Sequence, residues 1–189
     1  MQADYYRFSL SWSRILPNGT ADVVNQAGID YYNNLIDSLL ANDIFPMVTM
    51  YHWDLPQPLQ DIGGWPNEEL IEHFADFARL AFATFGDRVK HWITFNEPFN
   101  TCELGYGLGF AAPGIAREAT EPYLCAHTII KSHARAYHIY VDDFKELQNG
   151  KVGITLDTEW MEPSDPENPE HVDAAERAIQ FKVPNICNY

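Results

Sequence analysis

Segments with the character of β-strands and segments with the character of α-helices alternate four times along this sequence. Runs rich in aromatic and β-branched residues predict strands, and apolar residues at helical spacing predict the helices that follow them. The predicted strands are 5–12, 45–53, 91–97 and 151–160, and the predicted helices are 25–41, 66–86, 122–147 and one beginning at 169. This order predicts an α/β fold in which helices cover a parallel sheet.

Two architectures have this order of elements, an open doubly wound sheet and a closed barrel. An open sheet usually carries a glycine-rich nucleotide-binding turn after its first strand, whereas the turn here reads SRILPNGT. The stretch GYGLGF, 105–110, lacks the dinucleotide-binding spacing, and we predict a mobile or tightly turning loop there. No low-complexity segment or Pro/Gly/Ser-rich linker divides the chain, so we expect residues 1–189 to form a single domain.

The composition argues against several classes of partner. The chain has 12 Lys and Arg residues against 27 Asp and Glu residues, a net charge of −15, which disfavours nucleic acid and anionic membrane surfaces. No apolar run is long enough to span a bilayer. Cys102, Cys125 and Cys187 are too few and too scattered for a disulfide framework or a zinc site, so we expect free thiols. The sequon NGT at Asn18 is compatible with secretion.

Polar side chains lie in or near the ends of the four predicted strands. Arg7 lies in the first strand and His52 ends the second. Asn96 and Glu97 end the third strand, and Glu159 lies near the end of the fourth. In a parallel barrel the strand ends meet on one face, and that face carries the active site in essentially every characterised enzyme. Residues that are far apart in sequence would then line a single pocket.

Each of these residues also has a purely structural interpretation. A strand-end histidine is often simply hydrogen-bonded, and an arginine among aromatic residues often packs its stem while its head stays in water. The functional interpretation gains weight because aromatic residues lie near the same strand ends, namely Trp12, Tyr51, Trp53 and Trp160. Sugars have apolar faces and polar rims, so a pocket of aromatic, amide, imidazole and carboxylate groups suits a carbohydrate.

Long stretches of the sequence resemble the family 1 glycoside hydrolases, the retaining β-glucosidase and lactase-type enzymes, and animal members such as insect digestive enzymes in particular. The resemblance implies a (β/α)8 TIM barrel of which about strands two to five, with their helices, are present. It also implies hydrolysis of O-glycosyl bonds in a small-molecule β-glycoside or an oligosaccharide. The motifs that carry it, in matching order and spacing, are YYRFSLSWSRILPNG, YHWDLPQPLQDIGGW, TFNEP and GITLDTEWMEP.

The resemblance also assigns roles to individual residues. Glu97 matches the general acid/base, which must be protonated to give its proton to the leaving oxygen and later ionised to draw a proton from water. Asn96 and His52 match residues that hydrogen-bond hydroxyls of the sugar ring, and Trp53 is similar to a tryptophan of the pocket wall. Arg7 matches the arginine that sits beside the nucleophile and keeps it ionised.

The sequence departs from the pattern of the resembled family. The nucleophile of that family is a second glutamate in an ENG-type motif on a late strand, and no ENG occurs here. The chain has 189 residues, whereas a barrel commonly has about 250 and rarely fewer than about 200. Hydrolysis with retention of the anomeric configuration needs two carboxyl groups about 5–5.5 Å apart. Nothing in the sequence positions Glu103 or Glu159 to act as the nucleophile. We therefore expect a partial barrel, without the first strand and the C-terminal half, that is inactive alone.

An alternative function is a non-catalytic, glycosidase-like binding or interaction module. Such proteins usually lose their catalytic glutamates, whereas Glu97, with Asn96, His52 and Arg7, is present here, which favours the enzyme. The absence of a nucleophile follows from the length of the chain and does not separate the two hypotheses. The compartment also stays open, with secretion of a full-length protein as the favoured expectation.

No metal or cofactor is expected. His127, His133 and His138 share a predicted helix, but they are separated by 6 and 5 residues. Two metal ligands on one helical face would need a separation of about four residues. We therefore interpret these histidines as surface or packing residues. The resembled family needs no cofactor, because carboxylate chemistry supplies its whole mechanism.

Overall fold

The computed structural model describes residues 3–117 and 119–182, which fall into two compact units, one ending at Thr155 and one beginning at Leu156. The first unit contains a parallel sheet of four strands in the order β1-β2-β3-β4. The predicted parallel sheet is thus confirmed. Each unit is described by itself, and the single-domain organisation stays a prediction. The strands are β1, Tyr5–Ser9; β2, Phe45–Tyr51; β3, His91–Asn96; and β4, Lys151–Thr155.

Helices lie between consecutive strands, as the alternating pattern predicted. The π-helical stretch Asn100–Gly107 is termed the π segment, and a second one, Tyr140–Phe144, joins α5 to α6. Among the described residues, no helix combines the length and apolar character that a membrane span needs. The α-helices are α1, Trp12–Ile15; α2, Gln26–Leu40; α3, Gln57–Asp61; α4, Leu70–Phe85; α5, Glu121–Ile139; α6, Lys145–Gln148; and, in the second unit, α7, Pro169–Lys182.

Helix α4 packs its apolar face against the sheet. Its apolar residues recur every three or four positions, so that residues such as Phe74 and Phe77 all face the sheet and are fully buried. The helix begins at Leu70, three residues after Asn67. The Asn67 side chain still caps the start of this region, because its Oδ1 accepts a hydrogen bond from the backbone N–H of Glu69 at 3.1 Å.

Trp12 and Tyr51 belong to the core, so the expectation that they line a sugar pocket was wrong. Strand β1 ends before Trp12, and the indole stacks on Phe77 with ring centroids 4.9 Å apart and no exposed surface. Tyr51 is 2% exposed and packs against Trp65, and burial raises the pKa of its hydroxyl. Both rings therefore stabilise the packing of helices against the sheet.

The prediction of a loop at 105–110 was wrong for the first half of this stretch. Gly105, Tyr106 and Gly107 are buried and belong to the π segment, and an irregular turn follows only from Leu108. A β-carbon at Gly105 would lie 2.6 Å from the carbonyl oxygen of Ala112. Glycine therefore allows close backbone packing here. From composition alone, the same glycines indicate a mobile or turning loop.

Cys102 and Cys125 form a disulfide, so the expectation of free thiols was wrong for this pair. The π segment packs against α5, which brings the two Cα atoms within 5.5 Å although 23 positions separate them in sequence. A pairing of this kind depends on tertiary packing and cannot be read from cysteine spacing. Cys187 lies outside the described residues.

His133 couples the stability of the first unit to pH. It lies on α5, and its Nδ1 is 2.8 Å from the hydroxyl of the buried Thr94 in β3. Burial lowers the pKa of His133 below its ordinary value of 6.5. The unfolded chain therefore binds this proton more tightly than the folded chain, and folding stability falls as the pH drops through about 6.5.

We expect the free energy of unfolding to decrease between pH 7.5 and pH 5.5, with a slope of at most about 1.4 kcal/mol per pH unit from this residue. Urea denaturation at the two pH values measures it. In a His133→Asn variant the amide can still bond to Thr94 but does not titrate, so the slope should be smaller. An unchanged slope in the variant would contradict the assignment.

Candidate active site

Arg7, Thr49 and Asn96 form a hydrogen-bonded chain across the first three strands. The guanidinium of Arg7 donates through Nε to Thr49 Oγ1 at 3.0 Å, and through a terminal nitrogen to Asn96 Oδ1. Thr49 and Asn96 are both buried. Because the arginine occupies the carbonyl oxygen of the amide, the two N–H donors of Asn96 remain for other partners.

A β-bulge in β3 directs Asn96 toward Arg7. Ile93 pairs with Gly153 and Asn96 pairs with Thr155, so β3 contains one more residue than β4 over this interval. Within the bulge the consecutive residues Thr94 and Phe95 both contact helices, His133 of α5 and Phe74 of α4 respectively. The usual alternation of faces is therefore interrupted, and the following residue points to the other side of the sheet.

Glu97 follows the bulge and is held by its backbone. Its N–H donates to the carbonyl of Thr155 at 2.8 Å, and its own carbonyl accepts from the N–H of Asn100 at 3.1 Å. Its φ is +48°, a left-handed conformation that is uncommon outside glycine. Asn100 Nδ2 also donates to Glu97 Oε2 at 3.1 Å. Sequence reasoning missed Asn100, although its place three residues after Glu97 was the available signal.

His52 and Trp53 extend the site from the end of β2. Trp53 has a φ of +74°, is 40% exposed, and donates from Nε1 to the backbone carbonyl of Asn96 at 2.9 Å. The rings of His52 and Trp53 are 5.3 Å apart and nearly perpendicular. Burial lowers the pKa of His52, the charge of Arg7 lowers it further, and Glu97 opposes both. His52 is therefore uncharged at pH 7 and can both donate and accept a hydrogen bond.

The structure brings His52, Trp53, Asn96 and Glu97 together at the carboxyl ends of β2 and β3, and the side chain of Arg7 reaches this group from the middle of β1. Another candidate from the sequence, Glu103, packs along Gly107 within its own π segment. Glu159 and Trp160 belong to the second unit and are exposed residues. Within the part of the chain that the structure describes, no three His, Cys, Asp or Glu side chains are grouped to hold a metal ion.

Known proteins match this chain over nearly its whole length. The profile of glycosyl hydrolase family 1 matches residues 1–188. Human lactase/phlorizin hydrolase is 53% identical over 178 residues, which are 94% of this chain and 9% of that protein. Cytosolic beta-glucosidase from Cavia porcellus is 52% identical over 94% of this chain and 38% of that protein. The chain therefore spans well under half the length of these relatives.

The solved structures agree with the sequence relatives. The rice Os3BGlu6 beta-glucosidase superimposes with a TM-score of 0.92 at 47% identity, over 98% of this chain and 41% of that chain. A mutant of the same rice enzyme was solved in a covalent complex with Glc. The fold class is thus the (β/α)8 barrel of these β-glucosidases, with β1 to β4 as about strands two to five, as the sequence predicted.

Proposed function

The chain belongs to glycosyl hydrolase family 1, and from this premise we propose that it supplies the acid/base side of the active site of a retaining β-glycosidase. Its substrate is then a small-molecule β-glycoside or an oligosaccharide. The observation that carries the proposal is the arrangement at the end of β3, where Glu97 is fixed between Thr155 and Asn100 beside an amide that Arg7 orients.

In this mechanism Glu97 gives a proton to the glycosidic oxygen as the bond to the anomeric carbon breaks. A second carboxylate attacks that carbon and forms a glycosyl-enzyme intermediate, and Glu97 then takes a proton from the water that hydrolyses it. The contact from Asn100 reaches Oε2, so Oε1 is the oxygen left to exchange the proton with the substrate. The covalent Glc complex of the rice relative supports a retaining reaction for the family fold.

The remaining site residues have roles in binding. The free N–H donors of Asn96 would bond to a hydroxyl beside the anomeric carbon, and the uncharged His52 would bond to another ring hydroxyl. The exposed face of Trp53 would pack against the apolar face of the sugar. Arg7 carries a positive charge beside Asn96, where it would favour the ionised form of the second carboxylate.

The second carboxylate is the part of the mechanism that the described strands do not supply. It must lie about 5–5.5 Å from Glu97 in a retaining enzyme. We expect it on a barrel strand other than β1 to β4. The non-catalytic binding module remains the alternative, but the presence of Arg7, His52 and Asn96 around an intact Glu97 favours catalysis.

Chromophore release from an aryl β-glucoside tests the proposal. We expect none from the purified 189-residue chain alone, because the nucleophile is missing. Mixing the chain with a polypeptide that comprises the remaining barrel strands of a family β-glucosidase should produce release. A chain with Glu97→Gln, mixed in the same way, is the control. Release by the chain alone that disappears with Glu97→Gln would mean that the site is complete within the chain. Release that survives Glu97→Gln would contradict the role of Glu97.

A further inference from the structure

The sequon Asn18-Gly19-Thr20 is a motif that the proposed active site does not use. It forms the turn that follows α1, and the buried contacts of this turn belong to its glycine. Gly19 has a φ of +85°, its carbonyl accepts a hydrogen bond from Trp12 Nε1 at 3.1 Å, and its N–H donates to the carbonyl of Leu16 at 2.9 Å. The buried hydrogen bonds of this turn are therefore made by the backbone of Gly19, whereas the Asn18 side chain is only partly buried.

One hydrogen of the Asn18 amide is available for chemical modification. Its Oδ1 accepts from the N–H of Thr20 at 3.2 Å, and its Nδ2 makes one long hydrogen bond, 3.3 Å, to the exposed carboxylate of Asp22. The second N–H of this amide has no hydrogen-bond partner among the described residues. Residues on both sides of the turn are exposed, Pro17 before it and Ala21 and Asp22 after it. A group bonded to Nδ2 in place of its second hydrogen would leave both hydrogen bonds of the Asn18 side chain in place.

The Cys102–Cys125 disulfide indicates an oxidising compartment for folding. Both sulfurs are buried, so the bridge is part of the packing of the π segment against α5. Structural disulfides persist in secreted proteins and in the lumen of the secretory pathway, where asparagine-linked glycosylation also takes place. This observation is independent of the sequon and concerns a different part of the fold.

We propose that Asn18 is an N-glycosylation site, with an oligosaccharide carried on a lipid diphosphate as the co-substrate. Nδ2 forms a bond to the anomeric carbon of the oligosaccharide, and the bond from that carbon to the diphosphate oxygen breaks. The lipid diphosphate leaves with the electron pair, and the proton that Nδ2 loses passes to the solvent. Asn18 is the only Asn-X-Ser/Thr sequon in the 189 residues, so one glycan per chain is expected.

The test is expression of the full chain behind a cleavable secretion leader in insect cells, with protein collected from the medium. Gel mobility before and after treatment with a peptide-N-glycosidase reports the glycan, and mass spectrometry locates the aspartate that the enzyme leaves. Asn18→Gln and Thr20→Ala should abolish the mobility change, whereas Thr20→Ser keeps the hydroxyl of the sequon and should retain it. Thiol alkylation before and after reduction shows whether the Cys102–Cys125 bridge has formed.

The expected result is a glycosidase-sensitive shift in the wild type and in Thr20→Ser, and its loss in the other two variants. A secreted, disulfide-bonded wild-type chain without the shift would overturn the proposal, and so would an equal shift in Asn18→Gln. No activity enters the measurement, so its outcome is separate from that of the β-glycosidase proposal.

Discussion

Replacing Glu97 with glutamine is expected to reduce kcat/KM by about 10²- to 10⁴-fold for β-glucosides with poor leaving groups, in an enzyme assembled from this chain and the remaining barrel strands. Glutamine keeps the size of the side chain and can still lie beside Asn100, but it has no proton to give to the glycosidic oxygen. Substrates whose leaving group departs without protonation, such as a dinitrophenyl β-glucoside, should lose much less in the glycosylation step. Steady-state kinetics across a series of aryl leaving groups measures this difference.

Glu103→Gln is the matched control, because it removes a carboxylate six positions further along, within the π segment. This variant should behave like the wild type with every substrate of the series. Equal losses in Glu97→Gln for good and poor leaving groups would mean that Glu97 contributes through binding or folding and does not donate a proton. An equal effect of the two substitutions would mean that Glu97 has no specific role in catalysis.

Truncating Trp12 to alanine is expected to lower the free energy of unfolding by about 3–5 kcal/mol. The indole is fully buried, stacks on Phe77 at 4.9 Å, contacts the edge of Phe74 at 5.8 Å, and donates to Gly19. Its removal leaves a large cavity and an unsatisfied carbonyl. A loss of this size is a substantial fraction of the 5–15 kcal/mol that stabilises most domains. Urea denaturation followed by far-UV circular dichroism measures it.

Trp53→Ala provides the comparison within the same chain. This ring is 40% exposed and contributes one hydrogen bond, to the carbonyl of Asn96, so its loss should cost about 0.5–1.5 kcal/mol. Sugar binding in the assembled enzyme should instead suffer more from Trp53→Ala than from Trp12→Phe, which keeps an aromatic ring in the core. Equal destabilisation by the two alanine substitutions would contradict the division of roles between the two tryptophans.

The sequence predicted the elements of the fold because its patterns are local. The alternation of strand-like and helix-like segments, and the spacing of residues such as Phe74 and Phe77, depend only on neighbours within a few turns of the chain. The proximity of His52 and Glu97 was also predictable, because the carboxyl ends of parallel strands must meet at one edge of a sheet. The roles of those residues came from the family resemblance and stay proposals.

The features that the sequence could not predict depend on tertiary packing. Trp12 and Trp53 are the last residues of two predicted strands, yet both observed strands end before them, and Trp12 is buried in the core whereas Trp53 is partly exposed. The bulge before Asn96 has no local signature in the residues that form it. The pairing of Cys102 with Cys125 requires knowing that the π segment folds back onto α5, which no spacing rule states.

The left-handed backbone of Glu97 and Trp53 has a consequence for engineering. Non-glycine residues in this conformation cost about 1–3 kcal/mol each, and glycine would adopt the same angles without that cost. Where this relief exceeds the contacts that the side chain makes, a library screened only for heat resistance should accumulate glycine, and each such gain would delete a side chain of the proposed sugar site. Thermal selection of this fold must be coupled to a screen for turnover, because stability and chemistry favour opposite residues at these two positions.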